Sequence, residues 1–341
     1  MKKLIFIFTA LLVLVSLVAC DKDMSDKEKV VNLYTDSHTA ADQDLYDKFQ
    51  EETGIEVKVI LVDADELVSR LEKADDADLV MASNASSLYQ AQTADLLKAY
   101  ESTTIDNQVP SHLRQDDKSW TAITSNPRAI AYNRFRFDAS TLSSYLALTG
   151  EEASNTIILG SADDINNQTL VASMVKLEGP EATSQAIEGL MGNLSDQVVE
   201  NDFDQMAAVV GGFADLTLVN ANSLGQMLNS EEKYQRNLAG EVGLFFPNQE
   251  NSGTHLTISG AGLAKAASHT KNAVKLLEFL TGEVAQEAYT VSQYEYPVNP
   301  NVEPSELLQS WGDFKAQDIN IQTVGELKED ALQLMNAAGW E

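Results

Sequence analysis

The sequence predicts an α/β fold of two lobes from three observations: the order of its strands and helices, its length, and two long extended segments. Apolar alternation predicts strands at residues 30–34, 55–62 and 77–83. Apolar residues at helical spacing predict helices at 42–52 and 64–73 between these strands. Alternation of strands and helices in this order predicts a parallel sheet with helices on both faces.

The length of 341 residues exceeds what one hydrophobic core usually supports, so we expect two lobes. The extended segments 120–133 and 255–265 are suited to crossing between the lobes. We therefore assign residues 30–125 and 260–341 to lobe 1 with the C-terminal helices, and residues 126–259 to lobe 2. In lobe 2 we expect strands at 155–160, 216–220 and 241–247 and helices at 170–177, 184–191 and 203–210; helices at 272–280, 284–291 and 324–337 close the chain.

The N-terminal segment has the pattern of an export signal. In residues 1–19, a basic start precedes an apolar run that is too short to be a membrane-spanning helix. The sequence Leu17-Val18-Ala19-Cys20 resembles the bacterial lipoprotein signal, which implies that Cys20 becomes the acylated first residue and that residues 20–29 form a tether. We expect an exported protein on the periplasmic or extracytoplasmic face, anchored to the membrane through lipidated Cys20.

The composition argues against a nucleic-acid partner and against stabilisation by disulfides. The chain has 52 acidic and 23 basic residues and a formal net charge of −29, so the phosphates of nucleic acids would repel it and we expect no nucleic-acid partner. Cys20 is the only cysteine. Stability must therefore come from hydrophobic cores, since no internal disulfide can form.

The sequence contains no catalytic constellation. It has no G-x-S-x-G motif, and its four histidines are far apart without a metal-binding spacing. The glycines of Gly260-Ala261-Gly262 lack the third glycine of a dinucleotide-binding fingerprint. We therefore expect neither an enzyme nor a catalytic cofactor.

The junction at residues 214–228 is the first candidate for a ligand site. An apolar strand ends there in Asn220, Asn222 and Ser223, which are residue types that cap helices, and apolar residues at helical spacing follow. In open α/β sheets, ligands bind at such edges, and the free N–H groups of a helix start favour anions. The alternative is an ordinary strand-to-helix junction.

Several longer segments resemble the bacterial ferric-iron-binding proteins of ABC importers. They are GTHLTISGAGLAK from Gly253, NAVKLLEFLTGEVAQ from Asn272, YEYPVNPNVEPSEL from Tyr294 and SWGDFK from Ser310, with LYDKFQEETGIEVKVI, DADELVSRL, NPRAIAYN and NNQTLVASMV elsewhere. The resemblance covers residues 29–341. It implies the periplasmic-binding-protein fold of the transferrin-like type 2, with a hinged cleft. It also implies that Fe³⁺ is the cargo and that an ABC permease and its ATPase in the cytoplasmic membrane are the partners.

The resemblance can be followed at individual positions, and at most of the ligand positions this chain has a different residue from the family. The family's histidine after the first strand is retained as His38, and its arginine for a synergistic anion as Arg128. The other matching positions hold no family residue: Thr39, Asn166, Asn222 and Ser223 stand where tyrosines are found, Asn126 where a second arginine is found, and Ser83 where some members have a glutamate.

These changes affect how iron could be held. Fe³⁺ needs anionic oxygen ligands such as tyrosinate, whereas amide and hydroxyl oxygens carry no charge. His38 is then the only family-type metal ligand retained. We expect iron to be carried in an anion-complexed or chelated form, seated on Arg128 and on helix-start amides. The predicted ligand-binding residues are His38, Thr39, Arg128, Asn166, Asn222 and Ser223.

Two other functions are compatible with the same fold. The cleft could bind a non-iron organic solute or an oxyanion, with the amides of Asn166 and Asn222 as hydrogen-bonding groups. Alternatively, the chain could be a sensor or interaction lipoprotein that transports nothing. In each case we expect a monomer.

Overall fold

The computed structural model describes residues 29–150, 153, 156–195 and 199–340. Residues 1–28, with the predicted signal and Cys20, lie outside the described residues. In the part of the chain that is described, no helix has the length and apolar character needed to cross a membrane.

The predicted strands and helices are present, and the structure adds helices at Ala85–Thr93, Thr103–Gln108, Lys233–Ala239 and Glu306–Gln309 and a strand at Tyr296–Pro297. The strands are β1 (Val30–Thr35), β2 (Glu56–Leu61), β3 (Leu79–Ala82), β4 (Trp120–Asn133), β5 (Ile157–Ile158), β6 (Leu216–Asn220), β7 (Val242–Phe245), β8 (Leu256–Leu263) and β9 (Tyr296–Pro297). The helices are α1 (Ala40–Thr53), α2 (Leu67–Leu71), α3 (Ala85–Thr93), α4 (Thr103–Gln108), α5 (Ile165–Glu178), α6 (Pro180–Gly192), α7 (Asp202–Gly211), α8 (Ala221–Leu228), α9 (Lys233–Ala239), α10 (Thr270–Leu280), α11 (Glu283–Ser292), α12 (Glu306–Gln309) and α13 (Ile321–Ala337).

The sheet has the strand order β2-β1-β3-β8-β4-β6-β5, and β7 and β9 also pair with β4. β1 is parallel to both β2 and β3, as the order of elements predicted. The long strand β4 is shared between the lobes: residues 120–127 pair with β8, and residues 128–132 pair with β6. Residues 124–128 therefore lie where the chain passes from one lobe to the other.

Separate hydrophobic cores lie on either side of this crossing. The first core contains Leu33, Phe49 and Leu277, and the largest core of the second lobe contains Leu170 and Leu218. Each of these side chains is nearly inaccessible to solvent. Burial of apolar side chains on this scale is the main stabilising contribution to each lobe.

The C-terminal helix departs from the predicted lobe assignment. Ala331 and Met335 of α13 belong to the second core, and Trp340 donates a 2.8 Å hydrogen bond from its Nε1 to the carbonyl of Gly160. The sequence assigned this helix to lobe 1, because helical spacing marks an apolar face without showing which core it meets. The boundaries 30–125 with 260–341 and 126–259 otherwise remain a prediction.

Candidate functional site

A cavity of about 180 Å³ lies between the two lobes, beside the crossing strands. Amides and hydroxyls dominate its surface. The lining residues are Ser83, Asn84, Thr124, Ser125, Asn126, Ile165, Asn166, Asn220, Asn222, Thr257, Ser259 and Glu295. The predicted residues Asn166 and Asn222 are thus brought together, from α5 and α8, with two positions that the resemblance marked as changed, Ser83 and Asn126.

Helices begin at the cavity because polar side chains cap them there. The side chain of Asn84 accepts a 2.9 Å hydrogen bond from the N–H of Ser86 at the start of α3. Asp164 does the same for the N–H of Asn166 at the start of α5, also at 2.9 Å. These capping interactions fix where each helix starts, and so they fix which side chains face the cleft.

Hydrogen bonds between protein groups cross the cleft and also form within its second-lobe wall. The side-chain amide of Asn84 donates to Oδ1 of Asn166 at 3.4 Å. The N–H of Asn222, expected to be free for an anion, donates instead to Oδ1 of Asn126 at 3.1 Å. This backbone donor is therefore already occupied by the protein.

Glu295 is the main cleft residue that the sequence reasoning missed. Its carboxylate accepts a 3.0 Å hydrogen bond from the side-chain amide of Asn222 and another from the hydroxyl of Thr124. Burial raises the pKa of Glu295 to about 7, although the hydrogen bonds from Thr124 and Asn222 act in the opposite direction. The motif YEYPVNPNVEPSEL contained this glutamate, but nothing in the motif shows that its side chain faces the cleft.

Arg128 has a structural role that differs from the expected anion seat. It is fully buried, and its Nη2 donates a 2.7 Å hydrogen bond to Oδ1 of Asn167. Its guanidinium also lies 3.5 Å from a carboxylate oxygen of Asp164 and 3.3 Å from one of Asp202. Two carboxylates offset its charge, and it is absent from the described lining of the cavity. Arg128 thus holds elements of the second lobe together, and its role as an anion seat remains a prediction.

Ser223 also bonds within the protein rather than facing the inner cavity. Its hydroxyl donates a 2.7 Å hydrogen bond to Oδ2 of Asp202. The same oxygen accepts the N–H of Asn220 at 2.9 Å. Ser223 and Asp202 line a wider chamber of about 580 Å³ that shares Asn166 and Asn220 with the inner cavity. A ligand in this chamber could still contact Ser223, so its binding role remains a prediction.

His38 and Thr39 lie outside the inner cavity as the described residues define it. Thr39 caps α1: its hydroxyl accepts the N–H of Asp42 at 3.2 Å and donates to the carboxylate of Asp42 at 2.7 Å. The ring of His38 stacks on Tyr46 with centroids 5.9 Å apart, and its buried Nδ1 has no hydrogen-bond partner among the described residues. The structure therefore assigns Thr39 a capping role, and the role of His38 as a ligand residue remains a prediction.

A ferric site with direct protein ligands lacks support in the described residues. They contain no group of three or more His, Cys, Asp or Glu side chains placed to hold a metal ion. No tyrosine appears in the lining of the inner cavity within that part of the chain. Tyr34 is buried and donates a 2.7 Å hydrogen bond to Asp76, and Tyr132 packs against Phe137.

The two-lobed fold and its cleft are those of a protein that captures a solute, and comparison with known proteins agrees. Residues 44–316 match the family described as bacterial extracellular solute-binding protein, so the chain belongs to that family. The chain is 36% identical to iron uptake protein A1 of Synechocystis, over 94% of this chain and 89% of that protein. It is 27% identical to the major ferric iron-binding protein of Neisseria meningitidis, over 91% of this chain and 92% of that protein.

Solved structures show the same two-lobed fold. A Trichodesmium FutA structure in complex with iron and citrate ligands has 34% sequence identity and a TM-score of 0.89, covering 92% of this chain and 100% of that one. The ferric binding protein from Campylobacter jejuni has 31% identity and a TM-score of 0.85, covering 91% and 100%. These similarities confirm the predicted fold and the resemblance to ferric-iron-binding proteins.

Proposed function

We propose that this chain is the solute-binding component of an ABC importer of the ferric-iron type, and that it captures iron in the cleft between its lobes. The observation that carries the proposal is the inter-lobe cavity, whose polar lining comes from β4, β6, β8, α5 and α8 and from the residues that precede α3 and β9. A site divided between two lobes can couple ligand binding to closure about a hinge. The similarity to proteins named for iron uptake and ferric-iron binding supports iron as the cargo.

The iron would enter with ligands of its own, either an anion or a chelator. Bare Fe³⁺ requires several anionic oxygen atoms, and the inner cavity offers mainly the neutral oxygens of residues such as Asn126, Asn166 and Asn222. Amides and hydroxyls are well suited to hydrogen bonds with the ligands around a metal. The protein would then recognise the outside of a complex rather than the metal itself.

The same proposal includes export and anchoring. Cleavage after Ala19 would leave Cys20 as the lipidated first residue, with residues 20–29 as the tether. The chain would then remain on the outer face of the cytoplasmic membrane, where it can deliver its cargo to a permease driven by an ATPase. Its partners would be these importer subunits.

Iron retention tests this function. The protein is purified without chelators, incubated with ferric ion either in excess citrate, which gives a negative complex, or with one equivalent of acetohydroxamate, which gives a positive one, and desalted before elemental analysis. We expect one iron per chain with at least one of the two ligands. Asn222→Trp, which fills the cavity, should lose the iron, whereas Asn237→Trp at an exposed position of α9 should retain it. Equal retention by both variants, or no retention by the unmodified protein, would contradict the proposal.

A second candidate, capture of an organic solute without iron, is favoured by the lining itself. Asn84, Asn126, Asn166, Asn220 and Asn222 give the cavity both donors and acceptors for a polar molecule. Mass spectrometry of small molecules released by denaturing the purified protein distinguishes the two candidates. An iron-free solute present in the unmodified protein and absent from Asn222→Trp would favour this second function.

A further inference from the structure

The charge around the cavity indicates which complexes it can accept. Among the described residues, helices α3, α5 and α8 all begin at its wall, with Asn84, Ile165 and Asn220 in the lining. The N-terminus of a helix carries a partial positive charge of about +0.5. Considered alone, these three helix ends would attract an anion.

Each of these helix ends already has a carboxylate of the protein beside it. Asp36 accepts both the N–H and the hydroxyl of Ser83, directly before α3, at 2.8 and 3.1 Å. Asp164 is the N-cap residue of α5. Asp202 accepts the N–H of Asn220 at the start of α8, at 2.9 Å. An anionic ligand would therefore meet helix ends whose positive potential is already offset by fixed negative charge.

The remaining charged groups make the cleft negative. Glu295 adds a carboxylate to the inner cavity, and Glu200 adds one to the wider chamber. Arg128 contributes one positive charge near the cleft, but it is fully buried between Asp164 and Asp202. Neither cavity has a lysine or arginine in its lining within the described part of the chain. The negative charge of these carboxylates therefore exceeds the positive charge of Arg128 together with the partial charges of about +0.5 at the three helix ends.

We propose, building on the function proposed above, that the cleft takes its iron as a positively charged complex whose outer atoms donate hydrogen bonds to Glu295 and to the asparagine oxygens. Glu295 is the specificity-determining residue, because it is the ionisable group among the described residues that line the inner cavity. Asn222 and Thr124 hold its carboxylate in place. Complexes with a net negative charge are excluded, because they would face carboxylates without a free cation to balance them.

Two inert octahedral complexes of similar shape test this proposal. Hexaamminecobalt(III) is triply positive and has N–H donors on its surface, whereas hexacyanocobaltate(III) is triply negative and offers only acceptors. Each is titrated into the purified protein by calorimetry at pH 8, above the pKa of about 7 of Glu295, so that this carboxylate is mainly ionised. Physiological ionic strength weakens non-specific attraction to the acidic surface. We expect one hexaamminecobalt(III) to bind per chain and hexacyanocobaltate(III) not to bind.

Two glutamine variants show whether hexaamminecobalt(III) binds at the inner cavity. Glu295→Gln should weaken hexaamminecobalt(III) binding about tenfold or more, as expected for loss of a charge-assisted hydrogen bond. Glu303→Gln removes the same charge at an exposed position and should leave the affinity unchanged. Circular dichroism checks that Glu295→Gln is folded. If it is not, Asn126→Asp, which keeps the acceptor for the N–H of Asn222, adds a carboxylate to the same cavity and should tighten the binding.

The outcomes separate this inference from the proposed function. One-to-one binding of hexacyanocobaltate(III), equal binding of the positive complex to Glu295→Gln and Glu303→Gln, or unchanged affinity in Asn126→Asp would overturn the inference. Retention of ferric citrate without binding of hexaamminecobalt(III) would overturn the inference and leave the proposed iron function intact. Binding through Glu295 without iron retention would support this ligand class and overturn iron as the cargo.

Discussion

The carboxylate of Glu295 accepts a 3.0 Å hydrogen bond from the side-chain amide of Asn222 across the cleft. Glu295 directly precedes β9, which pairs with β4 at Thr124 and Ser125, whereas Asn222 lies in the first turn of α8. The two residues approach the cavity from opposite lobes. The charged group of the inner cavity thus takes part in a hydrogen bond that joins the two lobes.

The first prediction concerns the pH dependence of stability through Glu295. Burial raises its pKa to about 7, compared with about 4.3 for an unperturbed glutamate. Between these values the folded protein retains a proton that the unfolded chain has lost, so this group's contribution to stability falls as the pH rises towards 7. Urea denaturation should show the unmodified protein losing stability relative to Glu295→Gln between pH 5 and pH 8. A pH-independent difference between the two proteins would contradict the burial of this carboxyl group.

The second prediction is that Arg128→Ala primarily affects folding. Removal of the guanidinium leaves Asp164 and Asp202 without their buried counter-charge, and breaking a buried ion pair costs roughly 3 to 5 kcal/mol. Urea denaturation should show a loss of this size. The exposed Arg70→Ala is the matched control and should change the free energy of unfolding by less than about 1 kcal/mol. A stable Arg128→Ala that only binds ligand less well would restore the anion-seat interpretation.

The third prediction is that ferric iron will not produce the red-purple tyrosinate charge-transfer band in the unmodified protein. No tyrosine is found in the inner lining among the residues described, and Tyr34 instead donates to Asp76. Absorption spectra are recorded during ferric titration. Asn222→Tyr combined with Ser223→Tyr should produce the band, because tyrosinate supplies both the charge and the hard oxygen that Fe³⁺ requires. A band in the unmodified protein would show that a tyrosine reaches the metal.

The fourth prediction concerns anchoring. If Cys20 is the lipidated first residue, Cys20→Ala should release the protein from membranes or prevent its processing. Fractionation and intact-mass measurement of the unmodified and variant proteins provide the test. An unmodified N-terminus, or one that begins before or after Cys20, would contradict lipidation at this position.

The sequence predicted the strands well because their signal is local. The bounds of β4 and β6 match the predicted segments 120–133 and 216–220 residue for residue. The role of Thr39 also had a local signal, since Thr39-Ala40-Ala41-Asp42 has the spacing of a capping box. The sequence analysis expects a ligand role for Thr39 instead, because the resemblance places it where the family has a tyrosine.

The contacts that define the site could not be predicted in the same way, because they join distant parts of the chain. Glu295 meets Thr124 and Asn222, which are far from it in sequence. The sequence predicted a role for the charge of Arg128, but Asp164 and Asp202, which offset this charge, are brought to it only by the tertiary fold. Apolar spacing likewise predicted α13 without showing that it packs into the second core.

Native mass spectrometry combined with elemental analysis of the protein purified from iron-replete cells, without chelators, tests the central claim most directly. We predict that the bound species contains iron together with ligands of its own, so that the added mass exceeds that of the metal. We also predict that this species is absent from Asn222→Trp and present in Asn237→Trp. An added mass equal to bare ferric ion, or a cleft ligand without iron, would contradict the account.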